Sequence, residues 1–282
     1  MQLGIFSTVF DRGTLEEKVD AVRDAGFACV QFHMQCAGVE PMPDAISDDL
    51  CSQIRQAHGT RGISIGAVSG TFNMIHPDLS VREAGLARLA VLAGACEAMG
   101  APIITLCTGT RNTEWMWRPH PDNSTPEAWR DLVVSMARAA EIAEANHVLM
   151  AFEPEVANTV DSAKKARKLI DEVGSSHIKV VMDGANIYHP GELAHMHAML
   201  EEAFDLLGED IVHAHAKDLD HDGEAGKLAA GTGLLDYEYY INLLDRIGFT
   251  GPMVLHGLDE SQVPTSRDFV LGKMNHENLF EE

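Results

Sequence analysis

The 282-residue chain is predicted to be an α/β protein, a single (β/α)8 TIM barrel over residues 1–282. Short apolar, β-prone runs alternate strictly with amphipathic helical stretches, which indicates a parallel sheet covered by helices. The runs number eight, and a closed barrel of eight βα units takes about 250 residues as one domain. No G-x-G-x-x-G follows the first run, so an open dinucleotide-binding sheet has no support.

The strands are predicted from runs that begin near Leu3, Phe27, Ile63, Pro102, Val148, Ile178, Ile211 and Pro252. Capping boxes at Thr14-x-x-Glu17 and Ser80-x-x-Glu83 mark the starts of two helices. The segment Thr125-Pro126-Glu127 marks a third start, since it combines a cap, a first-turn proline and an acid. Helix ends are predicted at glycines that directly precede the next strand, namely Gly26, Gly100, Gly174 and Gly248.

Composition excludes several classes of protein. With 43 acidic against 21 basic residues the net charge is −22, which repels a phosphate backbone, so no nucleic-acid partner is expected. No apolar stretch approaches the roughly 18 residues that would span a bilayer, and only Met1 and Gln2 precede the first strand. We therefore expect a cytoplasmic protein without a membrane partner. Its five cysteines form no C-x-x-C pair and are expected to be reduced and buried.

Four polar residues each close an apolar run and are followed by a loop and a helix-like segment: Glu153, Asp183, His215 and His256. In such a barrel the chemistry lies at the carboxyl ends of the strands, so these side chains are expected to meet at one mouth. Period-two alternation places them on the inward face, with His213 one layer deeper as a structural group. Carboxylate and imidazole together suit Mn²⁺, Co²⁺, Zn²⁺ or Fe²⁺ better than Mg²⁺ or Ca²⁺. The pattern predicts one divalent metal centre.

Two loops supply candidate substrate contacts. The long segment from Cys107 to Trp129 is typical of a lid or binding loop, and its candidates are Trp117, Arg118 and His120. Tryptophan can stack on a sugar ring and arginine can hold an anionic group, although the tryptophans could instead pack the loop or an oligomer contact. The loop after the third strand offers Asn73 and His76, which could contact polyol hydroxyls or could cap local backbone.

The chain resembles the xylose isomerase-like TIM barrels along nearly its whole length. That family includes sugar and sugar-phosphate isomerases and epimerases, inosose dehydratases and an AP endonuclease branch. The most specific parts of the resemblance are Glu153, Asp183, the H-x-K-D segment from His215 to Asp218, and the G-x-G-x-x-D-Y segment from Gly231 to Tyr237. Gly231-Thr232-Gly233 could bind a phosphate on its backbone or form only a tight turn, which leaves phosphorylation of the substrate open.

The resemblance implies a metal site, with manganese the commonest ion in the family and Co²⁺, Zn²⁺ or Fe²⁺ as alternatives. By position the implied ligands are Glu153, Asp183 and His215, and His256 stands where the family usually has a second glutamate. Because an imidazole cannot replace that glutamate in both metal binding and proton transfer, Glu155 and Lys217 become acid-base candidates alongside Glu153.

The resemblance also bears on the substrate. Asn186 stands where the endonuclease branch has a zinc-binding histidine, which argues against DNA repair and makes Asn186 a candidate substrate contact. We expect a homo-oligomer, a dimer or tetramer, that acts on a small carbohydrate.

The expected reaction is isomerisation or epimerisation of a sugar, sugar phosphate or keto-polyol, by proton abstraction next to an oxygen held on the metal. A lyase or dehydratase acting on an inosose-like or 3-keto-glycoside substrate uses the same first proton transfer and is the nearest alternative. A non-catalytic barrel that binds a sugar or a partner protein is a third interpretation, since family resemblance supports fold more securely than function.

Overall fold

A closed barrel of eight parallel strands forms the centre of the computed structural model, which describes residues 1–274 of the chain. The last eight residues of the predicted 1–282 domain lie outside the described residues. The barrel strands are β1 Gln2–Phe6, β2 Cys29–Phe32, β3 Ser64–Ser69, β4 Ile103–Cys107, β5 Leu149–Glu153, β6 Ile178–Asp183, β7 Ile211–Asp218 and β9 Pro252–Leu255. Pairing of β1 with β9 and of β6 with β7 closes the ring, which confirms the predicted TIM barrel.

One further strand was not predicted. The two residues of β8, Leu228–Ala229, pair antiparallel with the end of β7, where Lys217 lies opposite Ala229. This short hairpin extends β7 beyond the barrel. It therefore forms part of the wall at the carboxyl end, where the predicted site lies.

Eight helices surround the barrel within the described residues: α1 Leu15–Asp24, α2 Asp48–Gly59, α3 Leu79–Met99, α4 Pro126–Ala145, α5 Ala163–Val173, α6 Met196–Leu207, α7 Tyr237–Arg246 and α8 Val263–Met274. The capping box at Thr14 and the start at Thr125-Pro126 are confirmed. Gly100 and Gly174 end their helices in the left-handed conformation, as predicted. Across residues 1–274, no helix is long and apolar enough to cross a membrane.

The predicted capping box at Ser80 is wrong. Helix α3 begins at Leu79, and Asp78 is its N-cap, accepting from the Ser80 backbone N–H at 2.8 Å and from the Ser80 hydroxyl at 2.7 Å. The carboxylate is the better acceptor at this position, because its negative charge also interacts favourably with the helix dipole.

The inside of the barrel changes from apolar to polar along the strand direction. A small cluster of buried side chains fills one layer: Ala67, Ile103, Ala151 and Val181. Beyond it lies a buried polar layer that includes Gln31, Ser69, Thr105, His213 and His215. Met150 and Phe152, the alternate residues of β5, pack into the large outer cluster against the helices, as alternation predicts. All five cysteine side chains are also buried, as predicted.

Candidate metal centre at the barrel mouth

Three of the four predicted ligands converge at the carboxyl end of the barrel. Asp183 ends β6, His215 lies opposite it in β7, and His256 directly follows β9, which pairs with β7. One donor atom from each of the three residues lies within 4.8 Å of the other two. Adjacent parallel strands that end in polar residues therefore bring these side chains together, although they are far apart in sequence.

The donor atoms themselves fit a cation. Asp183 Oδ2, His215 Nδ1 and His256 Nδ1 are buried, and none forms a hydrogen bond with any residue of the 1–274 region. An unsatisfied buried polar atom costs about 1–3 kcal/mol. One oxygen and two imidazole nitrogens form a mixed set of the kind that suits Mn²⁺, Co²⁺, Zn²⁺ or Fe²⁺. A divalent transition-metal ion would thus satisfy all three atoms at once.

Glu153, the fourth predicted ligand, faces the same centre from the end of β5. Its Oε1 lies 3.6 Å from His215 Nδ1. The same oxygen accepts a hydrogen bond of 2.5 Å from Asn186 Nδ2, and the Asn186 side-chain oxygen Oδ1 accepts from the Gly226 N–H at 3.0 Å. Asn186, predicted as a substrate contact, is fully buried and uses both ends of its amide within the protein. A role of Asn186 in substrate binding stays a prediction.

Lys217 and His215 carry positive charge among these carboxylates. Lys217 Nζ lies 3.1 Å from Asp183 Oδ2 as an ion-pair contact. Burial alone would raise the pKa of Asp183, but Lys217 and then His215 outweigh it and hold that pKa well below its usual range. Burial alone would lower the pKa of His215, yet Glu153 and Asp183 outweigh it and raise that pKa to about 9. The pKa of Lys217 is raised because Asp183, Glu153 and Glu155 outweigh its burial, so the ammonium stays protonated.

Glu155 has the pKa best suited to proton transfer near neutral pH. It lies two residues after Glu153, and its side chain is buried. Burial, followed by repulsion from Glu153, raises the pKa of Glu155 to about 7, while Lys217 opposes the rise. A carboxyl group with a pKa near the working pH can both take up and release a proton.

His256 is neutral and fixed by an aromatic neighbour. Burial, then the positive charges of Lys217 and His215, lower its pKa well below the usual value. Its ring stacks on Phe6 at a centroid distance of 4.5 Å. A cavity of about 520 Å³ opens beside Lys217 and His256, between the β8 hairpin and the loop after β9.

The predicted loop contacts mostly form local hydrogen bonds. Asn73 donates to the Thr110 carbonyl at 2.8 Å and accepts from the Thr110 N–H at 3.1 Å, and so joins the loops after β3 and β4. His76 Nδ1 accepts from the Asp78 N–H at 3.1 Å, and His120 Nδ1 accepts from a backbone N–H at 3.2 Å.

The two remaining loop candidates lie on the surface. Arg118 pairs with Glu114 at 3.1 Å, and the side chain of Trp117 is exposed. Trp117 and Arg118 are therefore accessible, whereas Asn73 is buried between two loops. A role of any of these residues in substrate binding stays a prediction.

The roles of two buried residues in this region were not predicted from the sequence. Gln31 lies inside the barrel, where its side-chain oxygen Oε1 contacts His213 and His215. Asp218 accepts four backbone N–H groups, from Leu219, Gly231, Gly233 and Leu235. Two sequence features could have indicated these roles. Gln31 is a lone polar residue in the apolar strand CVQF, and the H-x-K-D segment that ends at Asp218 occurs together with G-x-G.

Comparison with known proteins finds one family model and several proteins that match most of the chain. The family model described as xylose isomerase-like TIM barrel matches residues 19–270. A ketose 3-epimerase from Arthrobacter globiformis is 22% identical over 271 residues, which cover 93% of this chain and 84% of that protein.

Solved structures agree with the fold. D-psicose 3-epimerase from Clostridium cellulolyticum H10 superposes with a TM-score of 0.74 at 17% identity, covering 97% of this chain and 99% of that one. The 3-keto-D-glucoside 4-epimerase of E. coli gives a TM-score of 0.75 at 17% identity, covering 96% and 99% of the two chains. At such identities the likeness establishes the fold alone.

Proposed function

The chain belongs to the xylose isomerase-like TIM barrel family, and from this premise we propose that it is a divalent-metal-dependent epimerase or isomerase of an unphosphorylated keto sugar. The observation that carries the proposal is the set of three buried donor atoms at the barrel mouth, none of which has a hydrogen-bond partner within residues 1–274. The similarity to the ketose 3-epimerase from Arthrobacter globiformis supports a carbohydrate substrate.

Asp183, His215 and His256 would hold the metal, with Glu153 as the fourth ligand. We propose Mn²⁺, with Co²⁺, Zn²⁺ or Fe²⁺ as alternatives that the same donor set accepts. A divalent ion bound there supplies positive charge that polarises a substrate oxygen and stabilises the negative charge that develops on it.

Proton transfer is assigned to the two carboxylates at the end of β5. The proton leaves the sugar carbon next to the carbonyl and passes to a carboxylate oxygen of Glu155 or Glu153. Glu155 is favoured because a base with a pKa near 7 combines the right protonation state with sufficient basicity at neutral pH. Lys217 remains an ammonium group and can donate a hydrogen bond to the sugar oxygen on which charge accumulates.

The turn after β8 favours a substrate without phosphate. Backbone N–H groups in such glycine turns often bind phosphate in barrels. Here Asp218 Oδ2 accepts from Gly231 N at 3.0 Å and from Gly233 N at 2.9 Å, and its Oδ1 accepts from Leu235 N at 2.9 Å. The protein's own buried carboxylate thus occupies the position that a phosphate would need.

Elimination is the second candidate, and His256 is the observation that favours it. Both candidate bases lie at the end of β5, where Glu153 is its last residue and Glu155 follows, whereas a neutral imidazole, His256, follows β9. A base on one side of the substrate is sufficient for isomerisation or for loss of water, while epimerisation needs protons delivered to two faces. A dehydratase or lyase acting on a keto-polyol or 3-keto-glycoside would therefore use the same residues.

Solvent-proton exchange tests both candidates. The Mn²⁺-loaded protein is incubated in D₂O with a panel of keto sugars, their phosphorylated counterparts and keto-polyols, and the products are analysed by NMR. Deuterium next to the carbonyl with inverted configuration identifies an epimerase, transfer of the carbonyl to the neighbouring carbon an isomerase, and loss of water a dehydratase. Exchange limited to the phosphorylated sugars would contradict the substrate assignment, and no exchange in the panel would contradict the enzyme assignment.

A further inference from the structure

Gln31 forms the centre of the buried polar layer beneath the metal site. It lies in β2 with its side chain inside the barrel, 2% exposed. Its Oε1 is 2.9 Å from His213 Nε2 and 2.8 Å from His215 Nε2. Its amide nitrogen donates to Ser69 Oγ at 3.1 Å and to Thr105 Oγ1 at 3.0 Å. One amide thus connects β2 with β3, β4 and β7, and both of its ends are satisfied.

The orientation of this amide determines which nitrogen of His215 carries hydrogen. A carbonyl oxygen only accepts, so an imidazole nitrogen that contacts it must be the N–H donor. Metal binding requires the neutral ring, in which hydrogen on Nε2 leaves the lone pair of Nδ1 free, and Nδ1 is the atom that faces Glu153 and Asp183. With the amide reversed, its NH₂ group would face Nε2, the hydrogen of a neutral ring would move to Nδ1, and that atom could not bind a cation.

We propose that Gln31 is a positioning residue that fixes the tautomer and ring orientation of His215, so that Nδ1 is presented to the metal. The inference rests on the proposed metal-dependent function and extends it to a residue that touches neither metal nor substrate. Hydroxyl groups suit the other end of the amide, because Ser69 and Thr105 can accept from NH₂ or donate to an oxygen as required. Hydrogen-bond partners of metal-binding histidines typically change metal affinity 10- to 100-fold when mutated.

Three variants separate positioning from packing. Gln31→Met keeps the approximate length of the side chain but removes the acceptor, and Gln31→Glu keeps an acceptor that the Ser69 and Thr105 hydroxyls can also donate to. Ser135→Ala, on α4 and outside the barrel, is the control for lost stability, since it removes a buried hydrogen bond of 2.7 Å from Ser135 Oγ to the Met74 carbonyl. Mn²⁺ affinity is measured by titration calorimetry, and the Co²⁺ absorption spectrum reports ligand geometry.

The expected result is a loss of Mn²⁺ affinity of about 10- to 100-fold in Gln31→Met, recovery in Gln31→Glu and wild-type affinity in Ser135→Ala. An altered Co²⁺ spectrum in Gln31→Met alone would support the same conclusion. Wild-type metal affinity in Gln31→Met would overturn the inference and leave the proposed function intact, whereas failure of the wild type to bind any divalent transition metal would overturn both.

A measurement on the unmodified protein keeps the inference testable if Gln31→Met does not fold. In the Zn²⁺-loaded wild type, long-range ¹H–¹⁵N spectra distinguish protonated from metal-bound imidazole nitrogens. We expect His215 to show hydrogen on Nε2 and metal on Nδ1. Metal on Nε2, or hydrogen on Nδ1, would contradict the role assigned to Gln31.

Discussion

At the barrel mouth we assign metal binding and proton transfer to separate residues, whereas a pair of strand-end glutamates would serve in both. Glu153 and His256 close β5 and the β9 run, but only Glu153 offers a carboxylate. Glu155, buried and with a pKa of about 7, is therefore left as the group best suited to carry a proton, while the neutral His256 is suited to bind metal. This division makes the two residues separable by mutation.

Glu155→Gln is expected to lower solvent-proton exchange by about 10²- to 10⁴-fold while the metal stays bound, because an amide cannot take up the proton. Lys217→Met should likewise lose turnover with metal retained. His256→Ala should lose metal first, since it removes a donor atom. Turnover and Mn²⁺ content are measured on the same purified samples. If His256→Ala kept its metal and lost all exchange, the histidine would be the second proton-transfer group, and two-base epimerisation would be favoured.

His58, far from the site, gives a pH dependence of stability. It is 3% exposed, its Nδ1 lies 2.8 Å from the Ile54 carbonyl, and its ring packs edge-on to Phe32. Burial lowers its pKa below the usual 6.5. The unfolded chain therefore binds the proton first, and the free energy of unfolding falls as pH drops below about 6.5. Urea denaturation at several pH values should show a shallower fall in His58→Gln, and an identical slope would contradict the assignment.

At the level of elements, features that repeat along the chain could be predicted from the sequence. Features that depend on contacts across the barrel could not. Strand ends and their four polar residues follow from alternation and from helix caps, which are local signals. The role of Gln31 depends on hydrogen bonds to His213 and His215, which lie 182 and 184 positions away. The loop histidines His76 and His120 could have faced substrate or backbone, and nothing in the sequence decided between them. The two-residue β8 is too short to give any periodicity.

The start of α3 provides a direct test of the corrected cap. Asp78→Ala is expected to lower the free energy of unfolding by about 1 kcal/mol, because it removes the acceptor for the Ser80 N–H at the N-terminus of the helix. Ser80→Ala is the matched control, since the hydroxyl of Ser80 only donates to Asp78. Chemical denaturation of both variants measures the difference. A larger loss in Ser80→Ala would restore the original assignment of Ser80 as the cap.

The molecule as a whole carries a net charge of −22, and the resulting electrostatic field acts on charged partners at longer range than any side-chain contact. Abasic DNA should neither be retained nor nicked, because the field repels phosphates and Asn186 uses its amide on Glu153 and Gly226. Gel shifts and nicking assays at low salt give electrostatic binding its best chance, so clear binding there would contradict the prediction. Homo-oligomerisation and a cytoplasmic location stay predictions.

Metal binding should stabilise the whole barrel, because the three donor atoms lie on or directly after strands that meet only in the folded chain. An ion that binds the folded state alone contributes about 2.7 kcal/mol at a concentration 100 times its dissociation constant. At about 2–4 °C per kcal/mol for chains of 150–250 residues, the melting temperature should rise by roughly 5–10 °C. Scanning calorimetry after chelation and after addition of Mn²⁺ measures the shift, and elemental analysis should find about one ion per chain.

Asp183→Asn is the control for this stabilisation. The amide keeps the size of the side chain but removes the negative charge that faces His215 and Lys217, so the variant should show little or no shift with Mn²⁺. Mg²⁺ should stabilise the wild type less than Mn²⁺, because two of the three donors are imidazole nitrogens and Mg²⁺ prefers oxygen. Equal shifts in the wild type and in Asp183→Asn would place the ion elsewhere on the acidic surface, and would remove the positive charge on which the proposed chemistry depends.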